Sequence, residues 1–325
     1  MPNVGRVKSI QGGPIRLLIK GWAPDVEKEL AAGGFDRVEF HGGEYDSFAA
    51  LVPFKDKIAS IAVFGGTWRS AGGLAALSEL RAFTAGTRLP ADLDFRLLPQ
   101  LRELNFDAWL PGYAKSVFDC KNLRALRIEG YGGKDCSEIG RLTDLRRLSL
   151  AKGSLQSLQG LAGCSGLEAI ELAHLRKFSD LAEIALLANL RELDLSDALP
   201  ALHDLAPIFQ KSALRRLSLR ALDVEHADIS WLKDFTKLNV LGIWNVVPVD
   251  WDALLASPHL KKLAVTFTKS TGLSLDKVTD LAKQQGLNAT DVKAIGVPSK
   301  QKGYLIEFRP PGSTQNLWYW DDAKP

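Results

Sequence analysis

The side chains best suited to chemistry are few in this chain, and their spacing argues against catalysis. Three cysteines, Cys120, Cys136 and Cys164, stand among 325 residues, too few for a disulfide framework. The five histidines are His41, His174, His203, His226 and His259, with no His-x-x-x-His or Cys-x-x-Cys spacing that would signal zinc. Gly-Gly pairs occur at 12–13, 33–34, 42–43, 65–66, 72–73 and 132–133, but none belongs to a Gly-x-x-x-x-Gly-Lys-Ser/Thr phosphate loop. They read as turn glycines. No catalytic residue, metal or cofactor is expected, and the chain reads as a non-enzyme.

Charge is what remains. The 41 Lys and Arg nearly balance 38 Asp and Glu, a formal net charge of +3. That does not imply a polybasic binder of nucleic acid or membrane. Hydrophobic residues make up 46% and charged residues 24%, as in an ordinary folded protein. Arg16 interrupts the apolar stretch Ile15–Ile19, so no secretory signal is expected, and Val240–Val249 is about half a membrane span. The expectation is a cytoplasmic monomer, or an effector exported without a cleaved signal.

The elements that must position any functional side chain come from a repeat. Leu-x-x-Leu-x-Leu is clearest at Leu101-Leu104-Phe106, Leu123-Leu126-Ile128, Leu145-Leu148-Leu150, Leu167-Ile170-Leu172 and Leu190-Leu193-Leu195. It continues at Leu214-Leu217-Leu219, Leu238-Leu241-Ile243 and Leu260-Leu263-Val265. Degenerate copies start at Phe35, Ile58 and Leu80, so eleven copies recur at a mean interval of 22.5 residues. The best copy reads Leu145-x-x-Leu148-x-Leu150-x-x-Gly153-x-Leu155-x-x-Leu158-x-x-Leu161-x-x-Cys164. Over roughly residues 35–270 the chain resembles the leucine-rich repeat proteins. The resemblance is to the short, 22-residue subclass typified by a phosphatase regulatory subunit, and a bacterial source is expected.

The physics of one repeat supports that α/β solenoid. Residues two apart in Leu-x-Leu share one strand face. Leu155, Leu158, Leu161 and Cys164 recur every third position, which suits a 3₁₀ return. Phe178, Leu181, Ile184 and Leu187, or Leu202, Leu205, Ile208 and Phe209, suggest a longer α-turn. One repeat cannot bury its own ridge, so neighbours must stack. All three cysteines fall in consensus apolar slots and read as buried small hydrophobes. The family's asparagine, three residues after the last strand Leu, is replaced by Trp109, Tyr131, Gly153, Leu175, Ala198, Leu222, Val246 and Thr268. The loops must then satisfy their backbone groups otherwise.

Solenoid ends need caps. Residues 1–34 read as an N-terminal cap, a hairpin of Val4–Ile10 and Ile15–Lys20, ahead of the solenoid at 35–270. Residues 271–325 read as a C-terminal cap of helix plus hairpin. The helix would start at Ser274 and stop at Gly286, Asn288–Ile295 would add a helical turn, and strands would follow at Tyr304–Arg309 and Asn316–Trp320.

Repeat positions 3, 5 and 7 should face out from the sheet. They place Glu103, Asn105, Asp107, Arg127, Glu129, Glu171, Glu192, Asp194, Arg216, Arg220 and Trp244 on one concave face as candidates for binding a protein ligand. Charges there set on-rate and specificity, and an aromatic among small residues makes a hot spot. The competing reading is that these charges are solvated and neutralise one another across strands. Trp68, Trp109 and Tyr131 either extend the surface or fill the missing asparagine slot. His41 falls on the face with no partner evident. Position 2 forms a basic column, Arg81, Arg102, Arg124, Arg146, Arg191, Arg215 and Lys261, which reads as a solubilising edge rather than a phosphate track.

The resemblance implies a protein-interaction module. An immunity or antitoxin protein that blocks a toxin domain is the sharper form of that expectation. A regulatory subunit or adaptor of an intracellular enzyme is the alternative. A secreted effector with activity in the tail is a third reading, opposed by the absence of Cys and His from 271–325.

Overall fold

The computed structural model describes residues 3–8, 14–196, 202, 204–220, 230–244, 260–267, 276, 280, 291–295 and 302–307. Of residues 220, 244, 264–267, 291–295 and 302–307 it describes the backbone alone. The chain divides into two compact units, Met1–Gln210 and Lys211–Pro325.

The first unit holds ten strands: β1 (Val4–Lys8), β2 (Ile15–Ile19), β3 (Arg37–Tyr45), β4 (Ser60–Trp68), β5 (Ala82–Ala85), β6 (Glu103–Phe106), β7 (Ala125–Glu129), β8 (Arg147–Ala151), β9 (Ala169–Ala173) and β10 (Glu192–Ser196). They lie in sequence order. β1 runs antiparallel to β2, and β2 through β10 are parallel to their neighbours. Pairing follows the repeat position by position. Leu104 sits beside Leu126, Leu126 beside Leu148, Leu148 beside Ile170, and Ile170 beside Leu193. Positions 4 and 6 of these strands are buried throughout. A one-residue slip would turn that column to solvent, so burial fixes the register.

Period three becomes 3₁₀ geometry in the returns Phe95–Leu97, Ile139–Arg141 and Leu161–Gly163. Leu155, Leu158, Leu161 and Cys164 are all fully buried. The longer α-turn expected around Phe178–Leu187 is not formed, because Ala182–Leu186 is 3₁₀. Eclipsed i, i+3 geometry points Leu181, Ile184 and Leu187 the same way, into the core. The following return, Ala206–Phe209, is α-helical. Helix α1 (Pro24–Ala32) links β2 to β3 and buries Val26 and Leu30.

Three devices stand in for the asparagine ladder. Backbone groups pair between successive turns: Gln156 N donates to Lys134 O at 2.7 Å, and Ser179 N to Gln156 O at 2.9 Å. Carboxylates reach back one repeat to cap exposed N–H groups. Glu183 accepts from Gly160 N and Ala162 N, each at 2.7 Å, and Asp92 accepts from Ala71 N at 3.0 Å. Aromatic rings fill the space between. An unbroken series of ring contacts links Phe40, Tyr45, Trp68, Phe48, Phe83, Phe95, Phe106, Tyr113, Trp109, Phe118 and Tyr131, with centroids 4.2–6.2 Å apart.

In the second unit β11 (Arg216–Arg220), β12 (Val240–Trp244) and β13 (Lys262–Phe267) are parallel and in register with the repeat. β14 (Asp291–Ile295) and β15 (Lys302–Glu307) follow. β15 lies antiparallel between β13 and β14. Of the helical turn expected over 288–295, residues 291–295 are therefore a strand, and 288–290 lie outside the described residues. Short apolar runs are ambiguous between helix and strand, and here the strand is paired along its whole length with β15. Of the helix expected over 274–286, only Asp276 and Asp280 are described, both helical. The strand expected at 316–320 lies outside the described residues.

Candidate functional site

The face of the first unit is built from positions 3, 5 and 7, and the structure brings its candidates together by strand register. Asn105, Arg127, Ser149, Glu171 and Asp194 are successive partners along one row of β6 to β10. Side chains link part of that row. Arg127 lies 3.9 Å from Asp107 on one side and 3.9 Å from Glu171 on the other. Ser149 joins them, accepting from Arg127 at 3.3 Å and donating to Glu171 at 2.9 Å. Asn105 donates to Thr84 at 3.4 Å, and Glu129 pairs with Lys152 at 2.5 Å. Glu103 and Glu192 flank the row, and the Ser196 hydroxyl donates to Asp194.

Neutralisation across strands therefore occurs on this face, with Asp107 and Glu171 beside Arg127 and Glu129 beside Lys152. From β6 to β10 the face positions carry six carboxylates, Glu103, Asp107, Glu129, Glu171, Glu192 and Asp194, against the guanidiniums Arg127 and Arg147. Arg127 and Asp107 are 41% and 42% exposed, so their ion pair contributes about 0–1 kcal/mol. Arg216 belongs to the second unit and is half-buried beside Val240. The side chains of Arg220 and Trp244 lie outside those described.

A second cluster stands at the other end of the same sheet. Glu39 on β3 is 3% exposed in its side chain, with Arg16 at 3.7 Å, Arg37 at 3.6 Å and His41 at 3.2 Å. Arg37 also donates to Thr84 at 2.7 Å and lies 5.9 Å over the ring of Phe64. Phe64 is 40% exposed and sits against His41, ring centroids 5.4 Å apart. The partners of His41, which the sequence left unseen, are thus Glu39 and Phe64. The position 3, 5 and 7 pattern already contained Arg37, Glu39 and His41, but Arg16 comes from the hairpin strand β2 and joins them through the β2–β3 register. Between the two charged regions, the outward positions of β4 and β5 hold the small residues Ser60, Ala62, Ala82 and Thr84, of which Ala62 and Thr84 are buried.

The loop aromatics resolve toward packing. Trp68 is 8% and Tyr131 4% exposed, and Trp109 packs on Phe106 and Tyr113. Guanidiniums of the basic column turn onto nearby carbonyls: Arg102 onto Leu101 O at 3.1 Å, Arg146 onto Gly166 O at 3.1 Å and Arg191 onto Leu190 O at 2.9 Å. They satisfy the carbonyls that end each return.

The thiols are buried as the repeat requires. Cys164 donates to the carbonyls of Leu142 at 3.3 Å and Ile139 at 3.4 Å. Burial pushes both Cys120 and Cys164 up to about 12, and Cys136 higher still. All three stay protonated at neutral pH, which withholds the thiolate a nucleophile needs. Among the described residues no group of three or more His, Cys, Asp and Glu side chains could hold a metal ion. No helix among them is long and apolar enough to cross a membrane.

No protein-family model matches the chain, and no curated protein matches its sequence. Solved structures do. An internalin (inlF) from Listeria monocytogenes aligns over 70% of this chain and 66% of its own, at 16% identity and a TM-score of 0.50. A leucine-rich repeat protein from Leptospira interrogans aligns over 76% and 75%, at 14% identity and a TM-score of 0.45. The chain thus spans about two thirds of the internalin's length. At such identity the likeness speaks for the fold. Together with the register of the strands, it makes this an α/β leucine-rich repeat solenoid.

Proposed function

We propose that the chain is a non-enzymatic recognition module that binds a protein ligand on the strand face of its first unit. One observation carries this reading: the outward positions of five consecutive strands and their ends hold six carboxylates, beside the guanidiniums Arg127 and Arg147 and the ammonium of Lys152. Ion pairs this exposed add little stability, whereas charges so arranged steer a complementary partner and reject others. The partner's matching surface is basic where it meets β6 to β10. Phe64, 40% exposed beside Arg37 and His41 and two strands from β6, supplies an apolar anchor beyond that face. The finer form of this reading is an immunity role, in which the acidic face occludes the basic, anion-handling surface of a toxin domain.

The test is affinity capture from the native host with the wild type, Glu103→Lys/Glu192→Lys and Phe64→Ala. The charge reversals should weaken capture of the principal partner by about tenfold or more, with melting unchanged. Undiminished capture by both variants would place the interface elsewhere. Identification of the partner as a toxin domain encoded nearby would support the immunity role.

A further inference from the structure

The loops that follow β7, β8 and β9 line an open concavity of about 680 Å³ that the strand face does not include. Its lining holds Gly130, Lys152, Ser154, His174, Arg176 and Lys177, and no acidic residue. That volume lies within the range of small-ligand pockets. We propose that this cavity binds a phosphate-bearing small ligand.

The backbone is the first support. Gly130, Lys152 and His174 each occupy the position just after a strand end, because Glu129, Ala151 and Ala173 are register partners. All three are left-handed, with φ of 85°, 51° and 55°. Glycine adopts this conformation freely, while a side chain there is disfavoured. Two adjacent repeats therefore hold a strained Lys and a strained His where the preceding repeat uses Gly. Among the described residues these are the two non-glycine positions of positive φ, and both line the cavity. The same backbone bond holds the turn in all three repeats, Gly130 N to Ala151 O at 2.7 Å, Lys152 N to Ala173 O at 3.1 Å and His174 N to Ser196 O at 3.3 Å, and it sets the Lys152 and His174 side chains along the cavity.

Charge is the second. Lys152 is offset by Glu129 at 2.5 Å. Arg176 and Lys177 are exposed and make no ion pair among the described residues. Like charges gathered in one concavity repel, and a bound anion relieves that repulsion. A guanidinium fork with ammonium groups beside it suits the several oxygens of a phosphate. The Ser154 hydroxyl adds a neutral donor.

Pyrophosphate is the probe, with citrate as a carboxylate control, at low ionic strength because exposed charges are screened by salt. Isothermal titration should show pyrophosphate binding that Arg176→Ala/Lys177→Ala weakens on the order of tenfold or more, and that Arg176→Lys weakens less. Free of ligand, the double variant should melt no lower than the wild type. Vesicles bearing phosphoinositides separate the two sources of phosphate: capture lost in the double variant assigns the group to a lipid headgroup, and pyrophosphate binding without capture assigns it to a soluble ligand. Binding unchanged in the double variant, citrate as effective as pyrophosphate, or neither probe binding would overturn the proposal. A ligand-free double variant that melts lower would also count against it, because the two cations would then serve the fold.

Discussion

Gly153 occupies the slot where leucine-rich repeat proteins usually carry asparagine, and the structure predicts that restoring the family residue does harm. A Cβ added at Gly153 would stand 2.3 Å from the carbonyl oxygen of Tyr131 and 3.0 Å from its backbone nitrogen. Ordinary contact begins near 3.4 Å, so the two backbones must separate by about 1 Å. Neither can yield cheaply. Ser154 N donates to that same Tyr131 oxygen at 2.9 Å, and the Tyr131 ring is buried against Phe118. Overpacking of this kind costs about 1–3 kcal/mol. A consensus substitution that worked would instead add about 0.5–2 kcal/mol, mostly through new amide hydrogen bonds. The two arguments differ in sign. Urea titration and thermal melting of Gly153→Asn and Gly153→Ala decide between them. A loss of about 2 kcal/mol corresponds to a melting temperature lowered by roughly 4–8 °C in a unit of this size. Both variants should lose similarly, because both carry the offending Cβ. A Gly153→Asn protein as stable as the wild type, or more so, refutes the reasoning, and stabilisation by Asn with destabilisation by Ala would show that the asparagine ladder can still be built.

Other predictions rest on other parts of the molecule. Glu39→Leu leaves Arg37 beside an apolar group in a largely covered place; because Arg16 and Arg37 are 40% and 28% exposed, the loss should be about 1–2 kcal/mol in urea, below the range for a fully buried pair. A gain in stability would mean that the cluster costs more in desolvation than it returns. Glu183→Ala removes the acceptor of two 2.7 Å backbone bonds and should cost about 0.5–2 kcal/mol, read as faster amide exchange at Gly160 and Ala162. Unchanged exchange there would show that water replaces the carboxylate without loss. The thiols should resist an aromatic disulfide reagent at pH 8 until denaturant is added. Their pKa is raised on folding from the usual 9.0 to about 12 for Cys120 and Cys164. The unfolded chain therefore ionises first: this contribution to stability is complete below about pH 9 and is lost as pH rises toward 12. Rapid labelling of the native protein would place a thiol at the surface.

The sequence by itself determined the strands of the repeat, their order and their register within each unit. A triplet repeated at near-constant spacing leaves one way to bury every ridge, and a slip of one residue would expose all of them. It also placed the three cysteines, because a thiol in a consensus leucine slot is buried with its neighbours. It did not separate the strand Asp291–Ile295 from a helical turn, because the antiparallel partner β15 lies beyond the repeat and periodicity does not report it. What replaced the asparagine was equally hidden. Backbone pairing and Glu183 and Asp92 reaching back one repeat depend on residues about 20 positions apart that meet only after stacking, and the rings joined from Phe40 to Tyr131 combine local contacts with such distant ones. The candidate face shows the same division. Positions 3, 5 and 7 were legible from the strand period, so the carboxylates of β6 to β10 could be named. The bridging of Asp107 and Glu171 by Arg127, the enclosure of Glu39 by Arg16 from the hairpin, and the gathering of Lys152, His174, Arg176 and Lys177 around one cavity were decided by tertiary structure alone. Those encounters are set by side-chain reach and loop conformation across neighbouring strands, which no spacing along a single chain encodes.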